Sequence, residues 1–196
     1  MNERILFGVS ALMSLVGSGV IARVYAWPRL RVMGRDQALA LLVAPHLLLR
    51  FIGLSFLIRG VVAPTLPAAF AVPAAYGDLG AGILAIIATI ALARQASWAI
   101  PVVWLFNVWG AADLLFAFYQ GQRTELEPGA LGAAFYIPTA IVPPLLVTHA
   151  LIFLLLAHTS SRRKSCVSSW IRHGREVCAL FGSRIGEPPT VRENSR

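Results

Sequence analysis

The chain has 196 residues, of which 57% are hydrophobic and 13% are charged, and its formal net charge is +8. A soluble domain of this length buries too little volume to hide so many apolar side chains, and typical soluble domains carry about 25% charged residues. The composition therefore excludes an ordinary soluble domain and predicts an all-α fold, a polytopic bundle of transmembrane helices.

Apolar runs long enough to cross about 30 Å of hydrocarbon, at about 1.5 Å per residue, recur along the chain. They predict five spans, at about 5–24, 38–62, 66–93, 98–120 and 131–157. Residues 1–158 are then a transmembrane domain, and residues 159–196 are a basic cytoplasmic tail, partly disordered. Prolines inside the spans predict kinked helices, because neighbouring helices can satisfy the carbonyl groups that a proline leaves free.

The positions of the basic residues predict the orientation of the spans. Arginines and lysines concentrate after the first span, after the third span and at the start of the tail; these residues are Arg23, Arg29, Arg31, Arg35, Arg94, Arg162, Arg163 and Lys164. With five spans all three segments lie on one side, which the positive-inside rule assigns to the cytoplasm. We therefore expect a multi-pass protein of the cell inner membrane, with its N-terminus outside and its C-terminus cytoplasmic.

The predicted partners are the lipid bilayer and, for the tail, anionic lipid rather than nucleic acid. Apolar residues at roughly helical spacing between Val167 and Phe181 fit a short helix on the membrane surface, and a disordered tail is the alternative. The two cysteines, Cys166 and Cys178, match neither a zinc pair nor a CxxC motif, so no metal site is predicted.

Polar and ionisable side chains inside the spans form the candidate site, because such groups are costly in hydrocarbon. They are His46, Arg50, Asp78, Asn107, Asp113 and His149. Counted from the predicted cytoplasmic ends, both histidines and the asparagine lie about 12–14 Å deep, and the other three lie about 18–23 Å deep. His46 and Arg50 share one helix face and link these two layers. A buried guanidinium needs a carboxylate, with Asp78 as the expected partner and Asp113 as the competitor.

Three interpretations of this buried polar cluster follow. The first is a path for protons or a small solute, since Asp, His and Arg in kinked helices are typical of relays. The second is a membrane redox subunit that binds quinone or haem b, with His46 and His149 as axial ligands and Gly53, Gly77, Gly80 and Gly82 making room. The third is a non-catalytic assembly partner whose polar groups only fix helix packing. No catalytic motif is present, which favours a protein that is not an enzyme.

Parts of the chain resemble known membrane protein families. The segment from Arg50 to Gly60, the Gly77-Asp78 pair and the segment from Trp104 to Asp113, followed by Pro143 and His149, are similar to an uncharacterised family of small bacterial inner-membrane proteins. That resemblance covers most of the chain up to about residue 157 and implies no activity. The Arg-x-x-Gly-x-x-Phe pattern that begins at Arg50 loosely resembles the opening helix of DoxX-like four-helix membrane proteins, which would imply a link to redox and thiol metabolism. The first span is extra to that pattern.

The orientation is tested by reporter fusions. Fusions after Arg35, Arg94 and Lys164 are expected to be active only with a cytoplasmic reporter, because these residues end the basic segments. Fusions in the opposite loops, after Arg59 and Arg123, should show the reverse. A periplasmic signal at any of the first three points would contradict the five-span topology.

Overall fold

A computed structural model describes residues 2–157, and within that range the chain is helical and contains no β-strand, as predicted. Five helices in this part of the chain are long and apolar enough to cross a membrane. They are α1 (Glu3–Leu30), α2 (Arg35–Leu57), α3 (Ala68–Ala93), α4 (Ala99–Arg123) and α5 (Ile137–Ala157). The predicted basic tail, its surface helix and both cysteines lie outside the described residues.

Helix α1 lies at the edge of the bundle. The Asn2 side chain caps it by accepting a hydrogen bond from the Arg4 backbone N–H at 3.1 Å. No residue of Glu3–Ile21 is buried, although the stretch is strongly apolar. The helix continues through a π-helical turn at Ala22–Ala26 to Leu30, beyond the predicted end of the first span at residue 24. Of the four arginines predicted between the first two spans, Arg23 and Arg29 therefore belong to α1, and Arg35 begins α2.

Helix α2 changes its hydrogen-bonding pattern in the middle. Residues Arg35–Leu49 are α-helical and contain Pro45, whereas Arg50–Leu57 form a 3₁₀-helix. A 3₁₀ stretch of this length is unusual, and such stretches often occur at functional or strained segments. The change occurs at Arg50, so the Arg50 side chain extends from the first residue of the 3₁₀ segment.

Helix α3 packs against both α2 and α4 through small side chains. Its buried positions include alanines along its whole length: Ala71, Ala74, Ala75, Ala81, Ala85, Ala88 and Ala91. Small residues let helix backbones approach closely in apolar surroundings, where packing rather than water drives association. This close approach brings short side chains such as Asp78 within reach of the neighbouring helices.

The buried apolar residues form two clusters along the bundle. One includes Val43, Ala85, Phe106 and Ile152, and the other includes Phe56, Phe70, Leu114 and Leu145. In each of α2, α3, α4 and α5 the predicted polar positions lie between the residues of these two clusters along the helix. The polar groups are therefore enclosed between two apolar layers.

A short 3₁₀ segment, Pro128–Phe135, connects α4 to α5 and pairs with the loop after α2. Ala133 N–H donates to the Val61 carbonyl at 2.9 Å, and Ala63 N–H donates to the Ala130 carbonyl at 3.0 Å. Gly132, between them, has φ +53°, and a Cβ atom there would overlap the Val61 carbonyl oxygen. Only glycine fits this position without a shift of the paired backbone.

Replacing Gly132 with alanine is expected to lower the free energy of unfolding by roughly 1–3 kcal/mol, the cost of a side chain in a glycine-only conformation. Denaturant titration in mixed detergent micelles measures the change. Gly17→Ala is the matched control, because a Cβ atom at Gly17 meets nothing within 4 Å. Equal stability of the two variants would contradict the strained conformation at Gly132.

Candidate functional site

The structure brings all six predicted polar residues into one cluster, which we call the Arg50 network. Helix α2 supplies His46 and Arg50, α3 supplies Asp78, α4 supplies Asn107 and Asp113, and α5 supplies His149; α1 supplies none. The side chain of Arg50 has 0% exposure and those of Asp78 and Asp113 have 10% and 9%. Four helices thus meet at one guanidinium.

Every N–H group of Arg50 has an acceptor. Nη1 donates to Asp78 Oδ1 at 2.6 Å and to Asp113 Oδ2 at 2.8 Å. Nη2 donates to the Gly110 carbonyl at 2.7 Å and to His149 Nε2 at 2.9 Å, and Nε points at His46 Nδ1 at 3.4 Å. A guanidinium has five donors, so none is left over. The predicted pairing with Asp78 is present, but Asp113 is a second partner and not a competitor, since both carboxylates accept from the same nitrogen.

These contacts fix the tautomers of both histidines. Arginine can only donate, so His149 Nε2 and His46 Nδ1 are acceptors and carry no proton. His149 Nδ1–H then donates to Asn107 Oδ1 at 2.7 Å, and His46 Nε2–H donates to Thr148 Oγ1 at 2.9 Å. The Thr148 hydroxyl donates in turn to the Leu145 carbonyl at 2.7 Å. Both imidazoles are therefore neutral in this arrangement.

The charges of the Arg50 network do not cancel. One guanidinium faces two carboxylates, and the neutral histidines contribute nothing. With both carboxylates ionised the network carries one net negative charge in an environment where an uncompensated charge is costly. Neutrality requires one more positive charge, either a proton on a carboxylate or a cation beside it.

The two histidines do not fit the predicted role of axial haem ligands. Their ring centroids lie 4.5 Å apart and the ring planes are inclined by 53°. A haem iron between two imidazoles needs the porphyrin plane and two iron–nitrogen bonds in that space. In addition, His149 Nε2 accepts from Arg50 and His46 Nε2 donates to Thr148. Imidazoles in contact with each other leave no room for the macrocycle.

Glycines make room for the Arg50 network rather than for a cofactor. A Cβ atom at Gly53 would overlap Asp78 Oδ2, and one at Gly77 would overlap Asp113 Oδ1. A Cβ atom at Gly110 would lie 2.8 Å from Arg50 Nη2 and 2.6 Å from His149 Cε1. The ion pairs therefore depend on the absence of side chains at one position in each of α2, α3 and α4.

A cavity of about 400 Å³ reaches the carboxylates from one end of the bundle. Its inner end is formed by Asp78 and Asp113, and Arg4 and Glu125 lie among the residues that line it. Beside the mouth, Arg4 Nη2 lies 2.5 Å from Glu127 Oε1 in an exposed ion pair. The walls are mostly apolar and include aromatic rings from several helices. Cavities of this size and polarity are typical of small-molecule sites.

Sequence reasoning missed three parts of this site. The Gly110 carbonyl and the Thr148 hydroxyl complete the hydrogen bonding of Arg50 and His46, yet neither residue stands out in an apolar run. Gly110 precedes Asp113 by three residues, and Thr148 directly precedes His149. Their closeness in sequence to predicted site residues is the signal that could have identified them. The cavity has no signature in the sequence.

Among residues 2–157, no three His, Cys, Asp or Glu side chains converge as they would around a metal ion. The Arg50 network is instead a set of ion pairs and hydrogen bonds in which one arginine is the only cation. The candidate site is therefore a buried charge network between apolar helices.

The fold and the network define an all-helical protein with five helices suited to membrane insertion. The chain belongs to the family described as Domain of unknown function (DUF8737), whose model matches residues 6–157. No functionally curated protein and no solved structure matches the chain. The family match agrees with the predicted resemblance to an uncharacterised family. A bacterial source and the DoxX-like resemblance stay predictions.

Replacing Arg50 with leucine is expected to reduce the free energy of unfolding by about 3–5 kcal/mol, because two buried carboxylates lose their cation. Arg50→Leu combined with either Asp78→Leu or Asp113→Leu should recover only part of that loss, since one carboxylate remains. The triple leucine variant should recover most of it. Denaturant titration in micelles measures all four proteins, with exposed Arg94→Leu as control. Full recovery in one double variant would show that a single carboxylate is the partner.

Proposed function

We propose that this chain is a multi-pass inner-membrane protein, N-terminus outside, that couples proton binding at the Arg50 network to the movement of a small solute. The five apolar helices and the distribution of Arg and Lys support the membrane topology. Buried ionisable groups in such helices typically serve proton or solute paths. No enzymatic step is part of the proposal.

One observation carries the proposal: Arg50 Nη1 lies between two carboxylates, and both histidines are neutral. An ion pair whose purpose is packing would need one carboxylate for one guanidinium. The second carboxylate adds a site for a proton, and both carboxylates line the cavity. The cavity gives that proton a route to the surface. Proton binding and release can therefore change the charge of the site that a solute meets.

The redox alternative has less support. The histidines are too close to hold a haem, and a quinone in the cavity would need donors for its carbonyl oxygens. All N–H groups of Arg50 already have acceptors. At the inner end of the cavity a quinone headgroup would therefore have the proton of the unmatched carboxyl as its donor, the same proton that the proposed function exchanges.

The assembly-partner alternative is favoured by the complete hydrogen bonding of Arg50, which would hold four helices together without any turnover. It gives no reason for the unmatched carboxylate or for a cavity that ends on it. Proton binding separates the two interpretations, because a network that only fixes packing has no need to exchange a proton.

Infrared difference spectroscopy of the protein in lipid nanodiscs tests the proposal. The wild type is expected to show the carbonyl band of a protonated carboxylic acid, shifted by exchange into D₂O and lost at high pH. Asp78→Asn and Asp113→Asn should each lack the band near neutral pH, because one carboxylate then matches one guanidinium. Asp36→Asn, which changes an exposed carboxylate outside the network, should keep it. A wild type without the band at every pH at which it stays folded would overturn the proposal and favour a packing role.

A further inference from the structure

The cavity differs in character between its walls and its inner end. Phe7, Phe56, Phe70 and Phe118, from α1, α2, α3 and α4, supply aromatic surface. The inner end carries the two aspartates that share one arginine. The structure therefore combines an apolar, aromatic chamber with a site that lacks one positive charge.

We propose that the cavity binds an organic monocation with apolar substituents, which takes the place of the proton on the Arg50 network. The inference rests on the proposed function and names its solute class. When the cation arrives, the proton leaves a carboxylate for water, so the network stays neutral in both states. No covalent bond other than this O–H bond is broken or formed.

The chemistry of the cavity selects this class over others. An anion would meet carboxylates, and a neutral apolar molecule has no positive charge with which to replace the proton. A small hydrated metal cation would lose most of its water against apolar walls and find few oxygen ligands in return. Aromatic faces attract cations through their quadrupoles, most strongly where water is excluded. A cation whose charge is surrounded by apolar groups can pack against the aromatic walls and also balance the negative charge at the inner end.

The aromatic lining is positioned by packing and not by the carboxylates. The rings of Phe56 and Phe70 meet edge to face with their centroids 5.3 Å apart, and Phe7 contacts Phe135 in the same way at 5.9 Å. Phe7 belongs to α1, which adds a wall to a cavity otherwise lined by the four helices of the network and the segment between α4 and α5. The cavity can therefore be altered on its walls while the ion pairs are left in place.

Tetraphenylphosphonium is the probe, and tetraphenylborate is its control, since the two ions match in size and apolarity and differ in the sign of the charge. Binding to the full-length protein in nanodiscs is measured by equilibrium dialysis, and proton release is followed with a pH dye. We expect saturable binding of the cation with release of a proton, and no saturable binding of the anion.

Two kinds of variant test the site. Asp78→Asn and Asp113→Asn are each expected to weaken cation binding by roughly tenfold or more, because each removes the unmatched negative charge that attracts the cation in a low-dielectric site. Ala117→Leu, which fills the cavity from α4 without changing a charge, should weaken it as well. Ala112→Leu, on the exposed face of α4, and Asp36→Asn should bind as the wild type does. Thermal melting of each variant is the control for folding: a variant that melts as the wild type does and binds less cation has lost binding alone.

The results separate this inference from the proposed function. Equal binding of the two probe ions, or unchanged cation binding in Ala117→Leu and both asparagine variants, would overturn the inference. If the infrared band of the protonated carboxyl is present while the cation fails to bind, the inference is wrong and the proton site remains. Saturable binding without proton release would overturn the exchange, even though the cavity is occupied.

Discussion

The Arg50 guanidinium cannot give up its charge to escape burial, so the structure around it has to supply acceptors for every N–H group. Those acceptors come from four helices: two carboxylates, a backbone carbonyl and two imidazoles. The 3₁₀ turn of α2 begins at this residue, and the alanine face of α3 brings its partner helices close. Helix spacing, the choice of small residues and the histidine tautomers all follow from one buried cation.

The same arrangement separates a closed side from an open side. The imidazoles and Asn107 complete a network that is fully enclosed, with 0–1% exposure for these side chains. The two carboxylates face the cavity and retain accessible surface. Arg50 stands between them, so the histidine side holds the guanidinium in place, and the proposed exchange of a proton or a cation takes place on the carboxylate side. A simple salt bridge pairs one carboxylate with one guanidinium, whereas here two carboxylates share one guanidinium.

The sequence was sufficient for the parts of this protein that local chemistry determines. Long apolar runs predict five helices, and a polar or ionisable side chain inside such a run predicts burial in the bundle, which applies to all six residues of the Arg50 network. What depends on the approach of separate helices could not be predicted: Arg50 bonds both Asp78 and Asp113, and the histidines touch each other. The predicted first span ends at residue 24 whereas α1 ends at Leu30, because arginines such as Arg29 favour a loop in an apolar sequence. A helix tolerates arginines at its end, where their long side chains reach polar surroundings.

Gly53 and Gly77 each lie against a carboxylate oxygen on a neighbouring helix, and Gly110 lies against Arg50 and His149. No side chain can be added at these positions while the facing groups stay where they are. Evolutionary change at the site is therefore constrained in pairs: a relative with a larger residue at position 53 or 77 has to lose or shorten the aspartate opposite it. A larger residue introduced first would overlap the facing carboxylate, so the glycine and the aspartate opposite it are expected to change together.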